Sequence, residues 1–125
     1  MYMADPDKFT MKNVDPDMVQ KNTMRAAKFY FDSMKKNGID IDDVDLYITT
    51  QMGKYKIHQL ADTLKIPHEK IVVQCDRFGN TAAASMPIAL TRALESGELS
   101  LDSGQRVVMF GAANGLTFGY ASFVL

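Results

Sequence analysis

The chain has 125 residues, of which 46% are hydrophobic and 23% are charged, and its formal net charge is −1. This length and composition predict one folded domain with a modest core. The near-neutral charge gives no electrostatic reason to expect nucleic acid or a membrane surface as a partner. A single cysteine excludes an intrachain disulfide and fits a reducing compartment, so we expect a cytoplasmic protein.

The amino-terminal part of the chain predicts no targeting or membrane segment. The first residues lack the basic region followed by an apolar region that marks a signal peptide. No apolar run approaches the ~18–20 residues that a membrane span requires. A strand is expected near the start, followed by a helix that begins at Asp15-Pro16-Asp17 and ends at Lys35-Lys36-Asn37-Gly38.

Strands and helices alternate through the rest of the chain. The predicted elements are a strand over 46–49, a helix over 54–64, a strand over 71–75, a helix over 82–96, a strand over 105–110 and a strand over 116–125. The last strand alternates little and is predicted to be buried on both faces. Residues 1–125 are therefore predicted to form one α/β domain of order β-α-β-α-β-α-β-β, with a mixed, mostly parallel sheet flanked by helices.

A Gly-Asn-Thr turn precedes the predicted helix over 82–96. Gly79 permits a positive φ, and Asn80 and Thr81 place short polar side chains at a helix start, where an anion is favoured. Only small residues follow, in Ala82-Ala83-Ala84-Ser85. By itself this pattern predicts a capped helix with a small-residue face.

The segment over 76–85 is also specific as a string of residues. It resembles the Gly-Asn-Thr-Ser-Ala-Ala-Ser segment of the ketoacyl-acyl-carrier-protein synthase III family, whose members share the thiolase fold. Four further segments are similar to the same family in the same order, over 41–48, 67–73, 104–111 and 114–119. The resemblance covers nearly the whole chain but only the carboxy-terminal half of the family. It implies one half of a thiolase-like fold.

The resemblance implies a catalytic site made of a cysteine nucleophile, a histidine, an asparagine and a backbone oxyanion hole. The cysteine belongs to the other half of the family. The asparagine matches Asn80, but the histidine position, thirty residues earlier, is Thr50. Threonine has no group that titrates near neutrality, so Thr50 is predicted not to perform the histidine's proton transfer.

Other site residues are implied more weakly by the same resemblance. Backbone N–H groups at Asn114 and Gly115 would serve as oxyanion donors, although a plain tight turn fits them equally well. Gly79, Lys54 and Lys56 are assigned to substrate binding. The two lysines flank Tyr55, where relatives often carry arginine, and they would attract an acidic carrier protein, although solvated surface lysines are the simpler interpretation.

The remaining reactive side chains are interpreted as structural. Cys75, at the end of a predicted strand, is expected to act as a small apolar residue. His58 and His68 are expected to be ordinary surface histidines, and neither has metal-ligand spacing to Cys, Asp or Glu, so no metal is predicted. No cofactor is expected, because a coenzyme A or phosphopantetheine thioester is the substrate of the full-length family.

Three functions stay open at this point. The chain is the carboxy-terminal domain of a condensing acyltransferase of fatty-acid or polyketide type, or a non-catalytic subunit that pairs with an active synthase, or part of an acyltransferase that works without decarboxylation. Expected partners are an amino-terminal half-domain or homologous subunit, a second copy of the chain, and acyl carrier protein or acyl-CoA.

Three predictions follow from this interpretation. The helix over 82–96 should associate with such a half or with another copy. The chain alone should lack condensing activity. Thr50, Asn80 and the Asn114-Gly115 turn should converge, with Thr50 Oγ1 and the Asn80 amide within roughly 6 Å.

Overall fold

The computed structural model describes residues 16–113 and 116–125, together with the backbone of two short amino-terminal strands. These strands, β1 (Tyr2–Ala4) and β2 (Met11–Asn13), pair in antiparallel fashion. The other elements are α1 (Pro16–Lys36), β3 (Leu46–Thr49), α2 (Lys54–Leu64), α3 (Cys75–Phe78), α4 (Ser85–Glu95), β4 (Arg106–Ala113) and β5 (Thr117–Val124). Within the described ranges, no helix combines the length and apolar character that a bilayer crossing requires.

The central sheet is mixed, as the alternation of elements predicts. Strand β4 lies parallel to β3 on one side and antiparallel to β5 on the other. On the far side of β3, Ile71 forms a single parallel bridge with Tyr47, and the Val72 N–H donates to the Tyr47 carbonyl at 2.9 Å. The predicted α/β class with a mixed sheet flanked by helices is therefore confirmed.

Helices cover both faces of this sheet. Because side chains alternate along a strand, Tyr47, Val108 and Phe110 face α1 and α2, whereas Ile48 and Val107 face α4. On the first face, Tyr30 of α1 is buried and its hydroxyl donates to the Gly111 carbonyl at 2.7 Å. Burial raises the pKa of Tyr30 to about 12, so this phenol stays a hydrogen-bond donor at neutral pH.

The strand predicted over 71–75 is wrong beyond its first residue. In the described part of the chain, only Ile71 of this segment forms a sheet bridge, and Cys75 already begins α3. The reason is a side chain that competes with the sheet: Gln51 Oε1 accepts the N–H groups of Gln74 and Cys75. Those amides are therefore unavailable to a strand ladder.

The helix predicted over 82–96 begins later than expected. Residues Ala82–Ala84 form a 3₁₀ turn, and α4 begins at Ser85. Asn80 Oδ1 accepts the Ala82 N–H at 3.0 Å, and Ala82 has a φ of 50°. This local side-chain bond holds the backbone in a turn, which delays regular helix by one turn.

Burial of the last strand on both faces is also wrong. Strand β5 is the edge of the sheet, and exposed residues alternate along it with half-buried ones. Phe118 and Tyr120 pack against the core, whereas Val124 is 53% exposed. Because apolar and polar residues do not alternate in its sequence, β5 was predicted to have other elements packed on both faces. The described residues leave part of it exposed.

Candidate functional site

A shallow cavity of about 320 Å³ lies where β3 ends and α2 and α3 begin. Its lining comes from the end of β3, the first residue of α2 and the segment around α3, and it consists of Gln51, Met52, Gly53, Lys54, Cys75, Asp76 and Asn80. Two of the residues predicted from the sequence, Asn80 and Lys54, therefore share one cavity. A second cavity, of about 420 Å³, runs along α1 and contains no predicted site residue.

Asn80 is held at this cavity by the turn that the sequence predicted. Gly79 has a φ of 68°, as expected, and its N–H closes α3 by donating to the Cys75 carbonyl at 3.0 Å. Asn80 Oδ1 is engaged by the Ala82 N–H. Among the described residues, its amide nitrogen makes no hydrogen bond, so this side chain retains two donors for a ligand.

Thr50 occupies a different environment from that of Asn80. Its backbone N–H donates to the Phe110 carbonyl at 3.2 Å, which extends the parallel pairing beyond β3. Its hydroxyl accepts from the Ala112 N–H at 3.0 Å and donates to the Ala112 carbonyl at 3.3 Å. The Thr50 side chain thus replaces two ladder hydrogen bonds, and Thr50 does not line the cavity.

The structure describes only part of the predicted convergence of Thr50, Asn80 and the Asn114-Gly115 turn. Gln51, the residue after Thr50, lines the cavity together with Asn80, but the separation of about 6 Å between Thr50 Oγ1 and the Asn80 amide stays a prediction. The proposed oxyanion donors, Asn114 and Gly115, lie outside the described residues.

Gln51 is the residue whose importance the sequence did not reveal. It is 2% exposed, and its Nε2 donates to the carbonyls of Thr49 at 3.0 Å and Val72 at 3.2 Å. Its Oε1 accepts from the N–H groups of Gln74 at 2.7 Å and Cys75 at 3.1 Å. A polar residue two positions after the buried strand β3 was the available signal, but three of its four hydrogen-bond partners lie more than twenty positions away.

The two lysines assigned to substrate binding differ in position. Lys54 is exposed and lines the cavity. Lys56 instead donates to Gln59 Oε1 at 3.1 Å, and its Nζ lies 5.7 Å from the centroid of the Tyr55 ring. Only Lys54 is therefore placed by the described structure to contact a ligand in this cavity.

Neither histidine lines the cavity. The rings of His58 and His68 stack with centroids 4.3 Å apart, and His68 Nε2 lies 2.7 Å from Asp62 Oδ1. Cys75 is half-buried, packs against the core and lines the cavity. Within residues 16–113 and 116–125, no cluster of three or more His, Cys, Asp or Glu side chains is arranged to hold a metal ion.

The mixed sheet lies between two helical layers and has a polar cavity beyond the end of β3, which is an α/β arrangement compatible with one half of a thiolase-like fold. Residues 34–125 match the family described as 3-oxoacyl-[acyl-carrier-protein (ACP)] synthase III C terminal. The chain belongs to this family, and the resemblance found in the sequence is confirmed.

Individual relatives agree with this assignment. The chain is 35% identical to the beta-ketoacyl-[acyl-carrier-protein] synthase III of Streptococcus pyogenes serotype M5 (strain Manfredo). The aligned region has 94 residues and covers 75% of this chain and 29% of that protein. Among solved structures, 3-oxoacyl-[acyl-carrier-protein] synthase III from Aquifex aeolicus VF5 is 28% identical with a TM-score of 0.85, covering 99% of this chain and 39% of the other.

The corresponding synthase III of Thermus thermophilus is also 28% identical, with a TM-score of 0.79 over 96% of this chain and 38% of that one. The chain thus spans less than half the length of each of these relatives.

Proposed function

We propose that this domain serves an acyltransferase of the synthase III type, to which it contributes Asn80, while Thr50 has a structural role at the family's histidine position. The observation that carries the proposal is the pair of hydrogen bonds between Thr50 Oγ1 and the backbone of Ala112. That hydroxyl already donates its one proton and does not titrate near neutrality. It therefore offers no acid or base for condensation at this position.

The substrate class that fits the cavity is an acyl thioester of coenzyme A or of a phosphopantetheine carrier. The Asn80 amide would donate to the thioester oxygen as negative charge develops on it, and the N–H groups of Asn114 and Gly115 would supplement it. The turn at Gly79 sets the position of Asn80, and Lys54 supplies a positive charge that attracts an acidic carrier. Lys56, two residues further along α2, would add a more distant positive charge to this attraction.

An open cavity favours acyl transfer without decarboxylation over a purely structural subunit. A cavity filled by Met52 or Phe78 would favour the non-catalytic subunit. Met52 lines the cavity but is 47% exposed, and Phe78 is 42% exposed, so neither side chain fills it. This observation supports ligand binding.

A nucleophile-bearing half, or a homologous subunit, is the partner that the proposal requires. The three alanines of the 3₁₀ turn, Ala82–Ala84, are exposed, whereas Ser85, Ala89 and Ala93 of α4 are buried in this domain. Small exposed side chains allow another backbone to approach closely. We therefore propose that the partner packs on the Ala82–Ala84 surface.

Association is expected to be measurable with the chain alone. Because the proposed partner would cover the exposed Ala82–Ala84 side chains, we expect a second copy to occupy this surface and the molar mass from light scattering to rise above 13.9 kDa as the protein concentration increases. The Ala83→Lys variant, which places a charge on the Ala82–Ala84 surface, should weaken this association. A clean monomer at high concentration in the unsubstituted chain would contradict the expectation.

The chain alone is expected to show no acyl transfer. It contains one cysteine, Cys75, so covalent acylation on sulfur has a single destination that intact mass resolves. After incubation with acyl-CoA and malonyl carrier protein, we expect neither a mass increase nor a condensation product. Stoichiometric acylation that disappears in the Cys75→Ala variant would show that Cys75 is itself a nucleophile, and the proposal would be wrong.

A further inference from the structure

The side chain of Gln51 joins two segments of the chain through every hydrogen-bonding position that it has. Its two N–H donors bind carbonyls of Thr49 and Val72, and its oxygen accepts two backbone N–H groups. A primary amide has two donors and two acceptor positions, so all four are used. A fully satisfied buried amide is geometrically demanding, because any shift of the side chain breaks a bond.

The two N–H groups that Gln51 accepts are those of Gln74 and Cys75. They belong to the start of α3, where a helix has no internal acceptors for its first amides. Because α3 is a single turn, the position of its start also determines where it ends. Its last residue is Phe78, and the capping residue Gly79 directly precedes Asn80.

We infer that Gln51 is a positioning residue that fixes the Asn80 amide at the cavity. The strand end, the start of α3 and the Gly79 turn form one hydrogen-bonded path from Gln51 to Asn80. Gln51 also lines the cavity, but its hydrogen-bonding positions are all taken, so it acts through this path and not by hydrogen-bonding a substrate. What Asn80 then does to a thioester rests on the proposed function, whereas its placement by Gln51 does not.

Gln105 provides a matched control in the same chain. Its Oε1 accepts from the Ser100 N–H at 2.9 Å and the Ser103 hydroxyl at 3.0 Å, and its Nε2 donates to the Glu98 carbonyl at 3.0 Å. It is thus a second glutamine that joins a loop to a strand. It precedes β4, next to the start of β3, and so lies at the opposite end of the sheet from Gln51.

The test compares Gln51→Leu with Gln105→Leu by NMR of the chain, and it needs no enzymatic activity. In Gln51→Leu we expect the amide protons of Gln74 and Cys75 to exchange at least about tenfold faster than any change in global stability explains. We also expect the side-chain amide resonances of Asn80 to move. Gln105→Leu should change neither signal.

A second substitution covers the case in which leucine prevents folding. Gln51→Met keeps the length of the side chain but removes the oxygen that accepts the Gln74 and Cys75 N–H groups, and it should displace the Asn80 resonances in the same way. Asn80 resonances that stay at their original positions in the folded Gln51 variants would overturn the inference, as would equal shifts in Gln105→Leu. Either result is independent of whether the protein transfers acyl groups.

Discussion

Phe110→Ala is expected to lower the free energy of unfolding by about 3–5 kcal/mol, the typical cost of removing a buried aromatic ring. Phe110 lies in the middle of β4 and is completely buried. Its ring stacks on Tyr30 with centroids 4.3 Å apart and lies 5.6 Å from the ring of Tyr47. The substitution would therefore leave a cavity between α1 and the sheet. Urea unfolding followed by circular dichroism measures the change.

Phe31→Ala is the matched control for this substitution. Phe31 lies one residue after Tyr30 on α1, but it is 50% exposed, so we expect its removal to cost less than about 1 kcal/mol. Similar losses of stability in the two variants would contradict the packing described for this face of the sheet.

The second large effect is expected at Thr50. A chimera provides the nucleophile-bearing half: residues 34–125 of this chain replace the matched segment of the Streptococcus pyogenes synthase. We expect the chimera to accept an acyl group but to form almost no condensation product. Thr50→His should then raise product formation at least about 100-fold, because a positioned acid–base group contributes roughly 10²–10⁴-fold.

Two controls make this result specific to the imidazole. Acylation of the chimera, measured by intact mass, shows that the nucleophile-bearing half is folded. Asn80→Ala, introduced together with Thr50→His, should abolish the gain, since both groups are needed. A chimera that condenses efficiently with Thr50 in place would show that the histidine position is dispensable.

Local sequence patterns predicted the elements that local interactions determine. Strand β3 over 46–49 and helix α2 over 54–64 have the predicted bounds. In α2 the apolar positions Ile57, Leu60, Ala61 and Leu64 repeat at helical spacing, and all four are buried. The Pro16 start of α1 likewise follows from the fixed φ of proline.

The wrong predictions concern features that depend on contacts outside the segment itself. Nothing within 71–75 indicates that Gln51, more than twenty positions earlier, takes the amides of Gln74 and Cys75. The exposure of β5 depends on which elements lie beside it, a property that its own residues do not encode. Similarly, Ala82 has helical propensity, but its conformation is decided by the Asn80 side chain.

In the candidate site, too, local features could be predicted from the sequence and long-range contacts could not. The positive φ at Gly79 agrees with the sequence, because a turn is a local feature, and Asn80 and Lys54 line one cavity. The structural use of Thr50 was not predictable, since its partner Ala112 is 62 positions away. Its residue type alone had indicated only that the histidine's proton transfer is missing.

The most direct test of the structural role of Thr50 is the release of carbon dioxide from malonyl carrier protein by the acylated chimera. The comparison is between the chimera with Thr50 and its Thr50→Val variant, which keeps the side-chain shape but has no hydroxyl. If Thr50 only bonds the Ala112 backbone, both proteins should release carbon dioxide at the same background rate. Release well above background with Thr50 that is lost in Thr50→Val would contradict the account.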